Sequence, residues 1–198
     1  MTDAFRDKAY DGGAMRAHAG IEALNSIRKE MDFIFRKYGG ELEGLKVSAE
    51  AVSYAVETAG SFIERHTSAV CPGCLEVCCI NRHSYHELAD IVCIYALGRR
   101  PPFYREKVGD REPCQFLGKE GCTLRRPLRP HRCNWYFCTP LLDHIQSVSA
   151  REYRGFIADQ RAINRKREEL LNAFFAILKR AGYDFEGPKS APDEIFFT

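Results

Sequence analysis

With 198 residues, of which 45% are hydrophobic, the chain is long enough for one domain that has its own core. A chain of this length does not depend on the disulfide bonds that stabilise small secreted domains. The formal net charge of +2 is close to neutral, so the composition indicates neither nucleic acid nor a membrane surface as a partner.

The first ten residues are polar and carry charges of both signs, which is not typical of a secretory signal. No stretch approaches the roughly 18 consecutive apolar residues of a membrane-spanning helix. We therefore expect a cytoplasmic protein without a membrane partner. Thiols stay reduced in that compartment, so clustered cysteines there favour metal binding over disulfide formation.

The first predicted part, residues 14–66, consists of two helices joined by Gly39-Gly40 into an antiparallel helical hairpin. Ser48 is one candidate start signal for the second helix. The apolar stripe of the first helix comprises Leu24, Ile27, Met31, Ile34, Phe35 and Tyr38. The stripe of the second helix comprises Val47, Ala51, Ala55, Thr58, Ala59, Phe62, Ile63 and His66.

The middle part, residues 71–140, contains the clustered cysteines and one clear helix. Ser84 and Glu87 have capping-box spacing before the apolar run that starts at Leu88. This helix is predicted to end near Gly98, because Pro101-Pro102 follows. Beyond about residue 103 we expect short irregular segments, as is typical where metal bonds replace a hydrophobic core.

The third part, residues 149–182, is predicted to be a long amphipathic helix that ends at a glycine cap, Gly182. Ser149 and Glu152 again have capping-box spacing. The apolar face comprises Tyr153, Phe156, Ile157, Ile163, Leu170, Leu171, Phe174, Phe175 and Leu178. The basic residues Arg161, Arg165, Lys166 and Arg167 are interpreted as a solvated face, because Glu168 and Glu169 follow them. The end of the tail, Ile195-Phe196-Phe197, is expected to pack on the body of the protein.

All nine cysteines fall between residues 71 and 138, and eight of them form three blocks. The first block is a C-x-x-C turn, Cys71 to Cys74, followed by Cys78-Cys79. The second block holds Cys114 and Cys122, and the third holds Cys133 and Cys138. A C-x-x-C turn directs two sulfurs to one point and is a common half-site for zinc or an iron–sulfur cluster.

Cys78 and Cys79 are adjacent, and adjacent side chains diverge in either a strand or a helix. Both are therefore unsuited to bind the same single ion. Two metal sites, a sulfur that bridges two metals, or one ligand beside one structural thiol all remain open, as does the grouping of the eight thiols. Cys93 lies inside the predicted middle helix and is interpreted as a buried apolar residue rather than a ligand.

Arginines surround the second and third blocks, and His131 lies among them. Cations near thiolates lower their pKa and offset their charge, which is the preferred interpretation of Arg125, Arg126, Arg129 and Arg132. The alternative is an anion site beside the metal. His131 is an alternative nitrogen ligand, although sulfur ligands are already in excess.

The order of these motifs resembles the zinc- or iron-chelating cysteine-cluster family, often called YkgJ-like. The resemblance covers residues 71–138 and includes the Phe116-Leu117 and Arg129-Pro130 pairs. It implies that Cys71, Cys74, Cys78, Cys79, Cys114, Cys122, Cys133 and Cys138 form the ligand pool for zinc or an iron–sulfur cluster.

The family carries loose labels such as Fe–S oxidoreductase, and a related cysteine cluster occurs in flagellin lysine N-methylases. The sequence therefore predicts a mainly α metal-binding protein, in which the helical hairpin and the C-terminal helix pack around the cysteine-rich segment. Three functions stay open. They are metal binding with an unknown cellular role, an iron–sulfur enzyme for redox chemistry or protein methylation, and a zinc-based interaction module. The partner, protein or small molecule, is unknown, and whether the chain is an enzyme is left open.

Overall fold

The computed structural model describes residues 21–74, 77–147 and 150–185, and the chain is mainly helical in these ranges, as predicted. The α-helices are α1 (Ile21–Lys37), α2 (Gly39–Leu42), α3 (Leu45–Val70), α4 (Leu88–Ala96), α5 (Arg132–Trp135), α6 (Thr139–Gln146) and α7 (Ala150–Arg180). A two-stranded antiparallel hairpin consists of β1 (Leu117–Gly118) and β2 (Gly121–Cys122). Single 3₁₀ turns cover Cys71–Gly73, Asn81–His83 and Arg126–Leu128.

Helix α1 follows the predicted stripe, since Leu24, Ile27, Met31 and Ile34 are all buried. The helix breaks before Gly39-Gly40, as predicted, but these two glycines begin a second short helix rather than a turn. The chain leaves α1 at Lys37 and then makes the short helix α2, which starts at Gly39 itself. Residues 14–20 of the predicted first part lie outside the described residues.

Helix α3 begins at Leu45, so the prediction of a start at Ser48 was wrong. The predicted stripe is correct from Ala59 onward but was wrong in the first half of the helix. Val47 is 72% exposed there, whereas Val52 and Val56 are buried. Burying these two valines removes more apolar surface from water than burying alanines at positions 51 and 55 would.

The two N-terminal helices, which were predicted to form an antiparallel hairpin, pack mainly on other helices. Helix α3 packs most extensively on α7, while α1 packs on α4. The reason is visible in α4, where seven consecutive residues from Leu88 to Ile94 are buried. A helix that is apolar on all sides must be covered by neighbours on every face.

The start of α4 differs from the predicted Ser84–Glu87 capping box. Glu87 is the N-cap residue, and it forms a capping box with Asp90, whose Oδ2 accepts the Glu87 N–H at 3.0 Å. The hydroxyl of Ser84 instead donates to the carbonyl of Asn81 at 2.6 Å within the preceding 3₁₀ turn. The predicted end is confirmed, because Gly98 follows the helix with a φ of +68°.

Helix α7 ends at Arg180, within two residues of the predicted end. The N–H of Tyr183 donates to the Leu178 carbonyl at 2.9 Å, and Gly182 has a φ of +72°. These features are typical of a glycine C-cap. Ser149 of the predicted capping box and the tail from Pro188 to Thr198 lie outside the described residues.

Helix α6 was not predicted, since the segment after residue 103 was expected to be irregular. Its signals are Pro140 in the first turn and the buried pair Leu141 and Ile145, which are four residues apart. Apart from α5, α6 and the small hairpin, the described residues from 103 to 147 do form turns and short irregular stretches.

Two hydrophobic clusters form the core. The larger one is built from α1, α2, α3, α4 and the C-terminal half of α7, together with Tyr104 and Phe116. The smaller one comprises Phe62, Ile63, Leu141, Ile145 and Phe156, from α3, α6 and α7. Helices α3 and α7 contribute to both clusters and so connect them. The prediction that residues 1–198 form a single domain stays a prediction.

Candidate metal centre

All nine cysteines lie in the described ranges and carry thiols rather than disulfide bonds. The first C-x-x-C motif begins where α3 ends, and Pro72 and Gly73 continue the chain as a 3₁₀ turn. The N–H of Cys74 donates to the carbonyl of Cys71 at 3.2 Å. The tight turn expected of this motif is therefore present.

Cys78 and Cys79 precede an isolated antiparallel bridge between Ile80 and Pro113, and the N–H of Ile80 donates to the Cys78 carbonyl at 2.9 Å. The carbonyl of Cys79 accepts a hydrogen bond from the N–H of Cys114 at 2.8 Å. This bond brings the first cysteine block directly against the second.

The small β-hairpin positions Cys114 and Cys122. The N–H of Leu117 donates to the Cys114 carbonyl at 2.8 Å, and Leu117 pairs with Cys122 across the hairpin. Gly121 has a φ of +109°, a conformation that side chains other than glycine rarely adopt. Glycine at position 121 therefore allows the tight turn that returns Cys122 toward Cys114.

The two cysteines of the third block lie at the starts of two helices. Cys133 lies in the first turn of α5, where its N–H donates to the Pro130 carbonyl at 2.9 Å. Cys138 is the residue before α6, and its carbonyl accepts the N–H of Leu142 at 2.9 Å.

The thiols of the first block and Cys138 are neighbours. Burial raises the pKa of Cys71, and the nearby thiols of Cys78, Cys138 and Cys74 raise it further. Burial also raises the pKa of Cys138, with a smaller contribution from Cys78. A hydrogen bond joins the thiols of Cys78 and Cys138.

The thiols of Cys114, Cys122 and Cys133 are also neighbours. The pKa of Cys133 is raised to about 12, first by burial and then by the thiols of Cys122 and Cys114. Burial raises the pKa of Cys114 as well, and Cys122 adds to this effect.

Cys79 lies beside both sets of thiols. A hydrogen bond from the Cys78 thiol lowers the pKa of Cys79 and raises that of Cys78. Burial opposes the shift at Cys79, as do the thiols of Cys133, Cys114 and Cys71, in decreasing order of effect. All eight predicted ligands are thus near at least one other member of the pool.

The donor set fits a thiophilic metal. Thiols that raise one another's pKa do so because neighbouring thiolates repel, and a cation among them would remove that repulsion. Sulfur donors suit zinc and iron–sulfur clusters. In the described ranges, however, no three His, Cys, Asp or Glu side chains are already arranged as a group that could hold a metal ion.

Three of the four predicted arginines, Arg126, Arg129 and Arg132, lie near the Cys133 thiol. Arg126 and Arg129 both lower the pKa of Cys133, against the larger opposing effects of burial and the other thiols. The Nη1 of Arg126 also donates to the Cys133 carbonyl at 3.2 Å. These contacts support the predicted role of cations near thiolates. Arg132 also lies over the rings of Trp135 and Tyr136, at 5.8 and 5.2 Å from their centroids.

Glu64 on α3 is a partner of this cluster that the sequence did not predict. Its Oε1 lies 3.3 Å from the Nη2 of Arg126 and 3.8 Å from the Nη2 of Arg129. The carboxylate already balances part of the charge that an anion site would need, so the geometry favours the interpretation of these arginines as neighbours of thiolates.

Cys93 is buried, as predicted, and its Sγ lies 3.6 Å from the carbonyl of Ala49, to which it donates. Burial raises its pKa to about 12, and Asp90 adds to the shift. His131 is also buried, and its pKa falls to about 3 because of burial and the nearby charge of Arg167. The groups that act on His131 are therefore those of the α4–α7 contact, including Asp90.

The interpretation of Arg167 as part of a solvated basic face was wrong. Arg167 is 6% exposed and forms ion pairs with Asp90 and with Glu87, the latter at 2.8 Å. The signal was present in the sequence, because position 167 falls between Ile163 and Leu170 on the apolar stripe of α7.

Among the described residues, no helix combines the length and apolar character needed to cross a membrane. No protein-family model matches the chain, and neither a curated protein nor a solved structure matches it. The resemblance to the YkgJ-like family therefore rests on the cysteine motifs themselves.

Proposed function

We propose that the chain is a cysteine-cluster metal-binding protein that holds zinc or an iron–sulfur cluster in a reducing compartment such as the cytoplasm. The proposed ligands are Cys71, Cys74, Cys78, Cys79, Cys114, Cys122, Cys133 and Cys138.

The observation that carries the proposal is the meeting of thiols from separate parts of the chain. The end of α3, the two residues before Ile80, the β-hairpin and the two ends of the third block all contribute thiols that affect one another's pKa. A cluster of protonated thiols has little stability of its own, since thiols form only weak hydrogen bonds. Coordination of a metal by the thiolates would stabilise this arrangement.

The scarcity of apolar burial in the same segment is a second support. Among residues 97–140, the buried hydrophobic side chains are Tyr104 and Phe116. So small a core cannot offset the conformational entropy that is lost when about forty residues become ordered. Binding of a structural metal contributes folding free energy directly, so a metal would supply what the core lacks.

The chemistry of the bound group would depend on its identity. Zinc with four thiolates is a closed structural site, while an iron–sulfur cluster would add electron transfer. In either case this chain's own residues would supply the thiolates, and Arg126 and Arg129 would offset part of the negative charge near Cys133. The resemblance to YkgJ-like proteins is consistent with both metals.

An absorption spectrum of anaerobically purified protein tests the proposal and distinguishes its two forms. A brown protein with a broad sulfur-to-iron charge-transfer band would identify an iron–sulfur cluster and favour a redox or methylating enzyme. A colourless protein that releases zinc when its thiols are modified would identify a zinc protein. A colourless protein that contains neither zinc nor iron would contradict the proposal.

A zinc-based interaction module is the second candidate function. The observation in its favour is the exposure of two apolar side chains beside the cysteines, Val77 at 49% and Trp135 at 44%. Aromatic residues such as Trp are enriched at protein interfaces. This candidate predicts that Trp135→Ala weakens binding to a partner and leaves the metal content unchanged. Partner binding that is unaffected by Trp135→Ala would contradict it.

A further inference from the structure

We propose that a group of cationic and aromatic side chains beside the third cysteine block forms a binding site for a phosphate monoester. In this site two arginines bind the phosphate group, and an exposed tryptophan contacts the organic group that carries it. The Arg132 cluster, as we call it, comprises Arg82, His83, Arg132, Trp135 and Tyr136. The site gives the protein a ligand besides the metal, and it does not depend on which metal the thiols hold.

Contacts with aromatic rings hold Arg132 in place. The central carbon of its guanidinium lies 5.8 Å from the ring centroid of Trp135 and 5.2 Å from that of Tyr136. Such cation–π contacts orient the guanidinium without using its N–H donors. Its Nε is buried and has no hydrogen-bond partner among the described residues. The side chain is only partly buried, so its terminal Nη groups are the donors that a ligand can reach.

A series of contacts connects Arg82 to Arg132. The Nε of Arg82 donates to the Nε2 of His83 at 3.4 Å. The Nδ1 of His83 donates to the Cys78 carbonyl at 3.2 Å, which leaves Nε2 as the acceptor. The ring of His83 lies 5.1 Å from that of Tyr136, over which Arg132 is placed. His83 and Tyr136 therefore link the two guanidinium groups.

The charges of these two arginines are not paired in the part of the chain that the structure describes. Neither Arg82 nor Arg132 forms an ion pair there. Arg126 and Arg129, by contrast, share the carboxylate of Glu64. An anion bound by both unpaired guanidinium groups would offset the repulsion between them.

Glu87 balances only part of this charge. Burial lowers the pKa of Arg132, and Tyr136 opposes this effect. Arg82 lowers the pKa of Arg132 further, while Glu87 opposes it with a smaller effect. The Glu87 carboxylate is also already paired with Arg167, at 2.8 Å. Arg82 and Arg132 therefore retain positive charge for a ligand.

The number of guanidinium groups and the exposed ring favour a phosphate monoester over a carboxylate. A phosphate monoester carries nearly two negative charges at neutral pH and has three acceptor oxygens, which suits two guanidinium groups. A carboxylate carries one charge. The side chain of Trp135 is 44% exposed beside Arg132, so an apolar group attached to the phosphate can pack on its ring.

Titration of the metal-loaded chain with phenyl phosphate, inorganic phosphate and benzoate tests the site. Calorimetry in phosphate-free buffer at constant ionic strength gives the affinities. Trp135 is the only tryptophan of the chain, so its fluorescence reports whether a ligand binds at this surface. We expect phenyl phosphate to bind, to change the fluorescence of Trp135, and to bind about tenfold more tightly than either of the other probes.

Three variants locate the site. Arg132→Lys keeps a cation near Cys133 but removes the planar guanidinium, and Arg82→Gln removes an exposed charge. Each should weaken the binding of phenyl phosphate about tenfold. Arg165→Gln makes the same change of charge on α7 as Arg82→Gln makes at the cluster, and it should leave the binding unchanged. Elemental analysis of every variant gives the metal content, and Arg82→Gln decides the outcome if Arg132→Lys loses metal.

Three results would overturn the site. They are no binding of phenyl phosphate to the unaltered chain, equal affinity for phenyl phosphate and either other probe, and undiminished binding in Arg82→Gln. Binding of phenyl phosphate to a chain that holds neither zinc nor iron would instead contradict the proposed function and leave this site intact.

Discussion

Cys93 illustrates how burial distinguishes a structural thiol from a candidate ligand. It belongs to the larger core cluster, and the charged groups that affect its pKa are Asp90 and Arg167 rather than other cysteines. The eight proposed ligands are only partly buried or exposed, and each lies beside another thiol of the pool. The exclusion of Cys93 from the ligand pool thus agrees with its surroundings.

Replacement of Cys93 tests this distinction. Cys93→Ala is expected to leave the metal content unchanged and to lower the free energy of unfolding by about 1 kcal/mol, comparable to the loss of a buried methylene. The matched variant Cys133→Ala is expected to lower the metal content. Elemental analysis of both proteins provides the measurement, and loss of metal from Cys93→Ala would show that the ligand pool is larger than eight.

Because His66 is buried, we expect its protonation to make the stability of the protein depend on pH. It is 3% exposed, and neither ring nitrogen has a hydrogen-bond partner among the described residues. Burial lowers its pKa from 6.5; His144 on α6 and Arg65 lower it further, while Glu152 on α7 opposes them. The folded state therefore binds the proton less readily than the unfolded state, and stability falls as the pH drops below about 6.5.

His66→Phe is expected to reduce this loss of stability, because the stacked rings of Phe62 and Phe156 can accommodate an aromatic side chain that does not titrate. His144→Gln removes the second-largest cause of the shift and should give an intermediate result. Urea unfolding of the metal-free, reduced proteins at pH 7.5 and 5.5 measures the effect. An identical decrease in wild type and His66→Phe would rule out His66 as its source.

Among the contacts between elements, the ion pairs of Arg167 join α7 to α4. The Nη1 of Arg167 donates to Asp90, which also accepts the backbone N–H of His131 at 3.1 Å. Burial raises the pKa of Asp90, but Arg167, His86 and His131 outweigh that effect and lower it. This carboxylate therefore connects α4, α7 and the segment that carries Cys133.

Asp90→Asn should destabilise the protein by about 3–5 kcal/mol, because it leaves the charge of Arg167 buried and without its main partner. Two controls are available. Glu87→Gln removes a carboxylate whose side chain is 43% exposed. Arg165→Gln removes an arginine whose side chain is 67% exposed on α7, the helix that carries Arg167. Glu87→Gln should cost about 1–2 kcal/mol, because Glu87 is also the N-cap of α4, and Arg165→Gln about 1 kcal/mol or less. Chemical denaturation of the three variants gives the comparison, and a loss for Asp90→Asn no larger than for Glu87→Gln would contradict a buried ion pair.

Some of the helices could be predicted from sequence patterns alone. The stripes of α1 and α7 and the glycine cap at Gly182 were predictable, because long periodic segments and caps are local signals. The register of the first half of α3 was not, since alanine and valine alternate there on both sides of the helix. The choice of face depends on α7, which is far away in sequence.

For the whole molecule, the number and spacing of the cysteines could be read from the sequence, but their grouping could not. Which thiols lie close together depends on where the core places α6 and the β-hairpin, and α6 itself was missed. The ion pairs of Glu64 and Arg167 were also missed, because their partners lie on segments that are distant in sequence. A charged residue on a helix is normally solvated unless a distant segment covers it.

For the whole molecule, we also expect that metal binding orders the middle of the chain. Chelation should expose residues 99–140 to trypsin at Arg105, Lys107, Arg111 and Lys119, while the α3–α7 core stays resistant because it has its own apolar contacts. Mass spectrometry of the fragments provides the measurement, and chelator pre-saturated with zinc is the control. Cleavage at the same rate with and without chelation would contradict this coupling.

The most direct test of metal binding by the cysteine cluster is elemental analysis of anaerobically purified protein, combined with a count of reactive thiols. We expect at least one zinc ion or iron–sulfur cluster per chain, with the eight thiols of the pool protected until the metal is removed. Less than one metal per chain, with all eight thiols freely reactive, would contradict it.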